Sequence, residues 1–91
     1  MSLEKNIYFT KLFDIYGELL SKNQYEVMND FLNNDLTLTE VAENKLITRQ
    51  AVKDVVSKVE KKLLSFESKL HLLEKIEELE AEIKRLKNKE D

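Results

Sequence analysis

With one glycine and no proline among 91 residues, this chain holds almost nothing that would interrupt a helix. It is expected to be all-α, with its helix ends written in capping side chains. Three such signals are legible. Ser21 with Gln24 and Thr37 with Glu40 match the box in which a hydroxyl accepts the N–H three residues on while the third side chain reaches back. Thr48 offers a further N-cap just ahead of Arg49-Gln50-Ala51-Val52. Apolar spacing fills in the helix bodies. Tyr8, Leu12, Ile15, Tyr16 and Leu19, widened by Phe9, Phe13 and Leu20, predict a first helix over 3–20. Gly17 inside it costs about 1 kcal/mol relative to alanine. Tyr25, Met28, Phe31 and Leu32 predict a second helix, ending near Asn33-Asn34-Asp35.

Leu36 to Val59 reads as a helix-turn-helix, with the motif spanning about residues 38–63. The Thr37 box opens a short helix carrying Val41 and Ala42. Five residues beyond Ala42, Ile47 precedes the Thr48 cap of the next helix. A small residue at Ala42 permits a close, steep crossing, Ile47 plugs the angle, and Val52 and Val55 face back onto the first helix. On the second helix Val52, Val55, Val56, Val59 and Leu63 share one stripe. Gln50, Lys53, Asp54, Ser57 and Lys61 cluster on the opposite side.

The stripe runs on through Phe66, Leu70 and Leu73, predicting helix beyond residue 64. From Leu72 a second register begins, with Leu72, Leu79 and Leu86 at d and Ile76 and Ile83 at a, the combination that favours a parallel two-stranded coil. Lys75 and Glu82 then occupy g and would meet Glu80 and Lys87 at e of a second chain. The change of phase predicts a stammer, a bend or a helix break near residues 70–75. About two and a half heptads are short for a coiled coil, so the alternative is an amphipathic helix laid against the first two helices of its own chain or of a symmetry mate. The expected organisation is a helical domain over 1–64 and a C-terminal helix over 65–91. The dimerisation candidates are Phe66, Leu70, Leu73, Ile76, Leu79, Ile83 and Leu86, and the expected assembly is a homodimer.

Composition removes several function classes. There is no cysteine for a disulfide or thiolate site, and no long apolar run for a signal peptide or membrane span. A cytoplasmic protein is expected. The sole histidine, His71, lies between Leu70 and Leu72 and reads as an ordinary helix residue with no partner for a nucleophile or metal site. One glycine cannot build a glycine-rich phosphate cradle. No enzyme, metal or cofactor is expected. Tyr8, Phe9, Phe13, Tyr16, Tyr25, Phe31 and Phe66 read as core aromatics, although Phe66 could anchor an interface. The net charge of −3 conceals a division: residues 1–36 carry −3 and residues 65–91 carry −2, whereas residues 37–64 carry +2. Only the proposed reading segment is basic.

Asp35-Leu36-Thr37-Leu38-Thr39-Glu40-Val41-Ala42-Glu43 and Thr48-Arg49-Gln50-Ala51-Val52-Lys53-Asp54 resemble the YlxM family. So do Lys11-Leu12-Phe13-Asp14-Ile15-Tyr16-Gly17-Glu18-Leu19-Leu20 and the stretch from Glu67 to Lys75, which contains Lys69-Leu70-His71-Leu72-Leu73-Glu74-Lys75. The resemblance covers nearly the whole length. It implies a small all-helical bacterial protein whose helix-turn-helix is similar to the promoter-reading C-terminal domain of sigma factors. It also implies DNA binding and an association with the signal recognition particle pathway, as a regulator. This chain departs from the family pattern in the turn, with Leu46 where a Gly or Asn usually takes positive φ and Lys45 at a normally apolar position. Either Asn44 takes the left-handed conformation or Leu46 tolerates it, at a cost of about 1 kcal/mol or more.

A helix of this kind enters the major groove with its N-terminal side chains at base edges. Arg49 can pair with a guanine edge and Gln50 with an adenine edge, while Lys53 completes the reading set. Thr48 and Ser57 can reach phosphate or base, Lys58 can neutralise phosphate, and Asp54 would accept from cytosine or repel the backbone. These seven are the candidate DNA-binding residues. The alternative function is an accessory or RNA-binding component of the targeting machinery that does not read DNA sequence. The bland reading of the same residues is a solvated helix face.

Overall fold

The structure, a computed structural model, describes the backbone of residues 3–89 and the side chains of residues 6–89. Among these residues the chain forms α1 (Leu3–Tyr16), a 3-10 turn (Gly17–Leu19), α2 (Lys22–Leu32), α3 (Leu38–Lys45), α4 (Arg49–Leu70) and α5 (Leu72–Lys89), with no strand. The chain is all-α, as its composition requires. Both capping boxes form. Ser21 Oγ accepts the Gln24 N–H at 3.2 Å while Gln24 Oε1 accepts the Ser21 N–H. Thr37 and Glu40 make the same reciprocal pair at 3.1 and 3.0 Å, and Thr48 Oγ1 accepts the Ala51 N–H at 3.0 Å. Each bond satisfies an N–H that the helix itself leaves orphaned.

Helix α4 is the spine of the core. Its buried Val52, Val56, Val59 and Leu63 meet Val41 and Ala42 of α3, Val27 and Met28 of α2, and Phe9, Leu12, Phe13 and Tyr16 of α1. Full burial of one such aliphatic side chain stabilises by about 1.5–3 kcal/mol, so the stripe of α4 alone outweighs several weak helix propensities. Lys62 on the flank of that stripe donates to Gln24 Oε1 at 3.0 Å, tying α4 to α2.

The first helix ends earlier than its apolar spacing suggests. It stops at Tyr16, and Gly17 opens the 3-10 turn instead of sitting inside a helix. A Cβ at Gly17 would lie 3.2 Å from ring atoms of Phe13 and Tyr25, whose centroids are 4.9 Å apart. The glycine therefore allows two rings to close over the turn, a close approach rather than a lapse in propensity. Two aromatics expected in the core are only half covered. Tyr8 and Tyr25 are each 40% exposed, because they lie at the edges of the α1 and α2 stripes.

His71 is not a helix residue. It adopts φ 54°, ψ 29° and separates α4 from α5, so the change of phase in the sequence is a helix break. The break is held by side chains. Tyr16 donates its hydroxyl to Glu67 Oε1 at 2.6 Å and accepts the Leu72 N–H at 3.2 Å. Glu67 also accepts the N–H groups of Leu73 and Glu74, both at 3.0 Å. A carboxylate from the last turns of α4 thus caps the start of α5 and complements its positive end. Burial pushes the Glu67 carboxyl up, but the Tyr16 hydroxyl and the two backbone amides outweigh it, and the net displacement is downward. The first turns of α5 then lie along α1, where Lys11 Nζ meets Glu77 Oε2 at 3.2 Å.

Candidate nucleic-acid interface

The elbow between α3 and α4 is closed by a left-handed residue, and that residue is Leu46, not Asn44. Leu46 has φ 58°, ψ 41°, its N–H donates to Glu43 O at 3.3 Å, and the Ile47 N–H donates to Ala42 O at 3.1 Å. These are the two bonds of a Schellman ending, in which the left-handed position is normally glycine. Leucine holds it here with 91% of its surface exposed, so the side chain gains almost nothing by burial in return for the strain. The preceding Lys45, unusual for the family it resembles, is half-buried and pairs with Glu26 of α2. The hydrogen bond and the charge of Lys45 hold the Glu26 carboxyl below the usual carboxylate range. As a cation in the last turn of α3, Lys45 also suits that end of the helix dipole.

With α4 anchored by its valines, the opposite side of its first turns faces outward. Thr48, Arg49, Gln50, Lys53, Asp54, Ser57 and Lys58 are all exposed; Gln50, Lys53, Asp54 and Ser57 share the outward face, with Arg49 and Lys58 on its two flanks, over about 15 Å of helix at a rise of 1.5 Å per residue. Gln50 Nε2 donates to Asp54 Oδ1 at 2.9 Å. That bond occupies both side chains until a stronger partner displaces it. Among the described residues no carboxylate lies within 4 Å of Arg49, Lys53 or Lys58, which leaves three cations available to an anion. The Thr48 hydroxyl accepts the cap bond and keeps its own proton to donate.

The dimerisation candidates divide. Phe66 is partly buried against Tyr16, with centroids 5.7 Å apart, and Leu73 is buried in the core. Phe66 continues the α4 stripe onto α1, and Leu73 is engaged because the break at His71 turns α5 back onto α1. Leu70, Ile76, Leu79, Ile83 and Leu86 remain 39–56% exposed. Two interactions had no signal in the sequence: the Lys45–Glu26 pair and the Tyr16–Glu67 bond join residues 19 and 51 positions apart. No helix among the described residues is long and apolar enough to cross a membrane, and none of their His, Asp and Glu side chains cluster as a metal site.

Comparison with known proteins agrees with the elbow. Residues 3–91 match the family described as "Putative helix-turn-helix protein, YlxM / p13 like", which is not an enzyme family. A UPF0122 protein of Clostridium acetobutylicum is 39% identical over 87 residues, covering 96% of this chain and 75% of the relative. A UPF0122 protein of Clostridium perfringens strain 13 is 37% identical over 93 residues, covering 94% and 83%. A probable UPF0122 protein of Mycoplasma mycoides is 42% identical over 73 residues, covering 80% and 65%. On the match over nearly its full length and the helix-turn-helix seen in the structure, the chain belongs to the YlxM / p13-like helix-turn-helix family.

Proposed function

We propose that this protein binds duplex DNA by laying the first three turns of α4 in the major groove, and that it acts as a regulator. The observation that carries the reading is the exposed side of α4: Gln50 and Lys53 stand on its outward face with Arg49 and Lys58 on the two flanks, on a helix whose remaining face is locked into the core. Arg49, Gln50 and Lys53 read base edges, while Lys58 and the Thr48 and Ser57 hydroxyls hold phosphates. The basic strip is small and acidic helices flank it, so a single subunit binds weakly and loses affinity steeply with salt. A regulatory role in the signal recognition particle pathway is the setting that the family resemblance suggests.

A second reading, an accessory or RNA-binding component of the targeting machinery, is favoured by Leu46. An apolar side chain 91% exposed at the elbow suits a protein contact better than a phosphate backbone. Titration of labelled duplex DNA at low and physiological salt, with the parent, Arg49→Ala and Lys53→Ala, separates the two. The first reading expects parent binding at low salt and at least a several-fold loss in each variant. No binding by the parent, or equal binding by all three, rejects it.

A further inference from the structure

Helix α5 carries an apolar seam that its own chain does not cover. Ile76, Leu79, Ile83 and Leu86 are 39%, 56%, 53% and 50% exposed, in a helix otherwise lined with Glu, Lys and Arg. At 100° per residue these four and Leu72 fall within about 80° of arc, which is the width of a two-stranded seam rather than of a face buried in a bundle. Apart from Ile76, which borders a groove with Lys11, Asp14 and Ile15 of α1, the contacts of α5 with its own fold lie elsewhere on the helix. Leu73 is buried, Glu77 reaches Lys11 of α1, and Glu74 and Ala81 line a groove shared with Leu64 and Ser68 of α4. Beyond Ile76 the seam therefore points away from both neighbours.

We propose that the occupant of this seam is the α5 helix of a second copy of this chain, parallel and in register. The charges flanking the seam select both the partner and its direction. In parallel order Lys75 faces Glu80 and Glu82 faces Lys87 of the second chain, and symmetry doubles both attractions. Antiparallel order is opposed. The antiparallel register that stacks Ile76 on Leu86 and Leu79 on Ile83 sets Glu80 against Glu80, Glu82 against Glu82 and Lys75 against Lys89. Isoleucine at a with leucine at d adds the same preference for two parallel strands. Among the described residues these flanking side chains pair with exposed neighbours on the same helix, Lys75 with Glu78 at 3.7 Å and Glu82 with Arg85, and such pairs exchange at little cost. The seam is independent of the DNA reading, because none of its residues lies on α4.

A cysteine-free chain makes the test clean. Leu79→Cys places one thiol at d, where a parallel pair brings both sulfurs together and the opposing antiparallel register pairs residue 79 with residue 83 instead. The expected results are sedimentation at twice the 10.8 kDa chain mass and a disulfide-linked dimer of Leu79→Cys on mild oxidation. Lys87→Glu should weaken the dimer several-fold, and Glu82→Lys combined with Lys87→Glu should restore it, since these exposed residues leave the core intact. A parent that stays monomeric at 100 micromolar order concentrations overturns the proposal, as does a dimer that neither cross-links through residue 79 nor responds to the charge exchange.

Discussion

Replacing Leu46 by glycine should stabilise this protein. At φ 58°, ψ 41° the Cβ of an L-residue crowds the following carbonyl, at about 1–2 kcal/mol per residue, and glycine removes that crowding. The leucine side chain is 91% exposed, so its deletion forfeits almost no buried surface. Against the gain stands the greater freedom of an unfolded glycine, about 0.5–1 kcal/mol. The net is a stabilisation of about 0–1.5 kcal/mol, with a midpoint of about 0.75 kcal/mol that corresponds to roughly 3–6 °C in Tm for a domain of this size. Leu46→Ala is the control. Alanine keeps the Cβ and loses the same exposed atoms, so it should stay within about 0.5 kcal/mol of the parent. Urea and thermal melts followed by circular dichroism measure both. A Leu46→Gly variant less stable than the parent, or glycine and alanine shifting stability equally, would refute the strain argument.

Three further perturbations probe the core and the break at His71. Leu63→Ala, at a fully buried position of α4, should cost about 2–5 kcal/mol in urea melts, and a loss under 1 kcal/mol would contradict the central place given to that helix. Tyr16→Phe removes the hydroxyl shared by Glu67 and the Leu72 amide and should cost about 1 kcal/mol, with faster hydrogen exchange at Leu72–Glu74; unchanged exchange there would show that the bond does not hold the break. Glu67 titrates below its ordinary range in the folded state, so the fold favours its charged form. Its contribution is complete above the unfolded carboxylate pKa and is lost as pH falls through the folded one. The stability gap between the parent and Glu67→Gln should hold from neutral pH to about pH 5 and close in stronger acid, whereas a gap that widens in acid reverses the sign.

What could be read directly from the sequence was local. A capping box is complete within four residues, so Ser21–Gln24 and Thr37–Glu40 announce their helices without help from the rest of the chain. The valine stripe of α4 was equally plain, and it dictates which face is left exposed. Gly17 misled because helix propensity takes no account of the Phe13 and Tyr25 rings that need the space of a side chain. The left-handed residue of the elbow could not be chosen between Asn44 and Leu46 from preference alone, since asparagine is intrinsically the better candidate. The backbone bonds to Ala42 and Glu43 decide for Leu46. The break at His71 was visible as a change of phase but not as a structure, because the groups that hold it come from Tyr16 and Glu67, far apart in the chain. Leu73 turned inward for the same reason, while Phe66 is held inward as the continuation of the α4 stripe against Tyr16.

The central claim is that α4 presents its N-terminal polar strip to DNA, and backbone amide chemical shifts during titration with duplex DNA test it residue by residue. The account predicts that perturbations at low salt concentrate between Thr48 and Lys58 and fade as salt is raised. Shifts confined to α1, α2 or α5, or none at all, would contradict it.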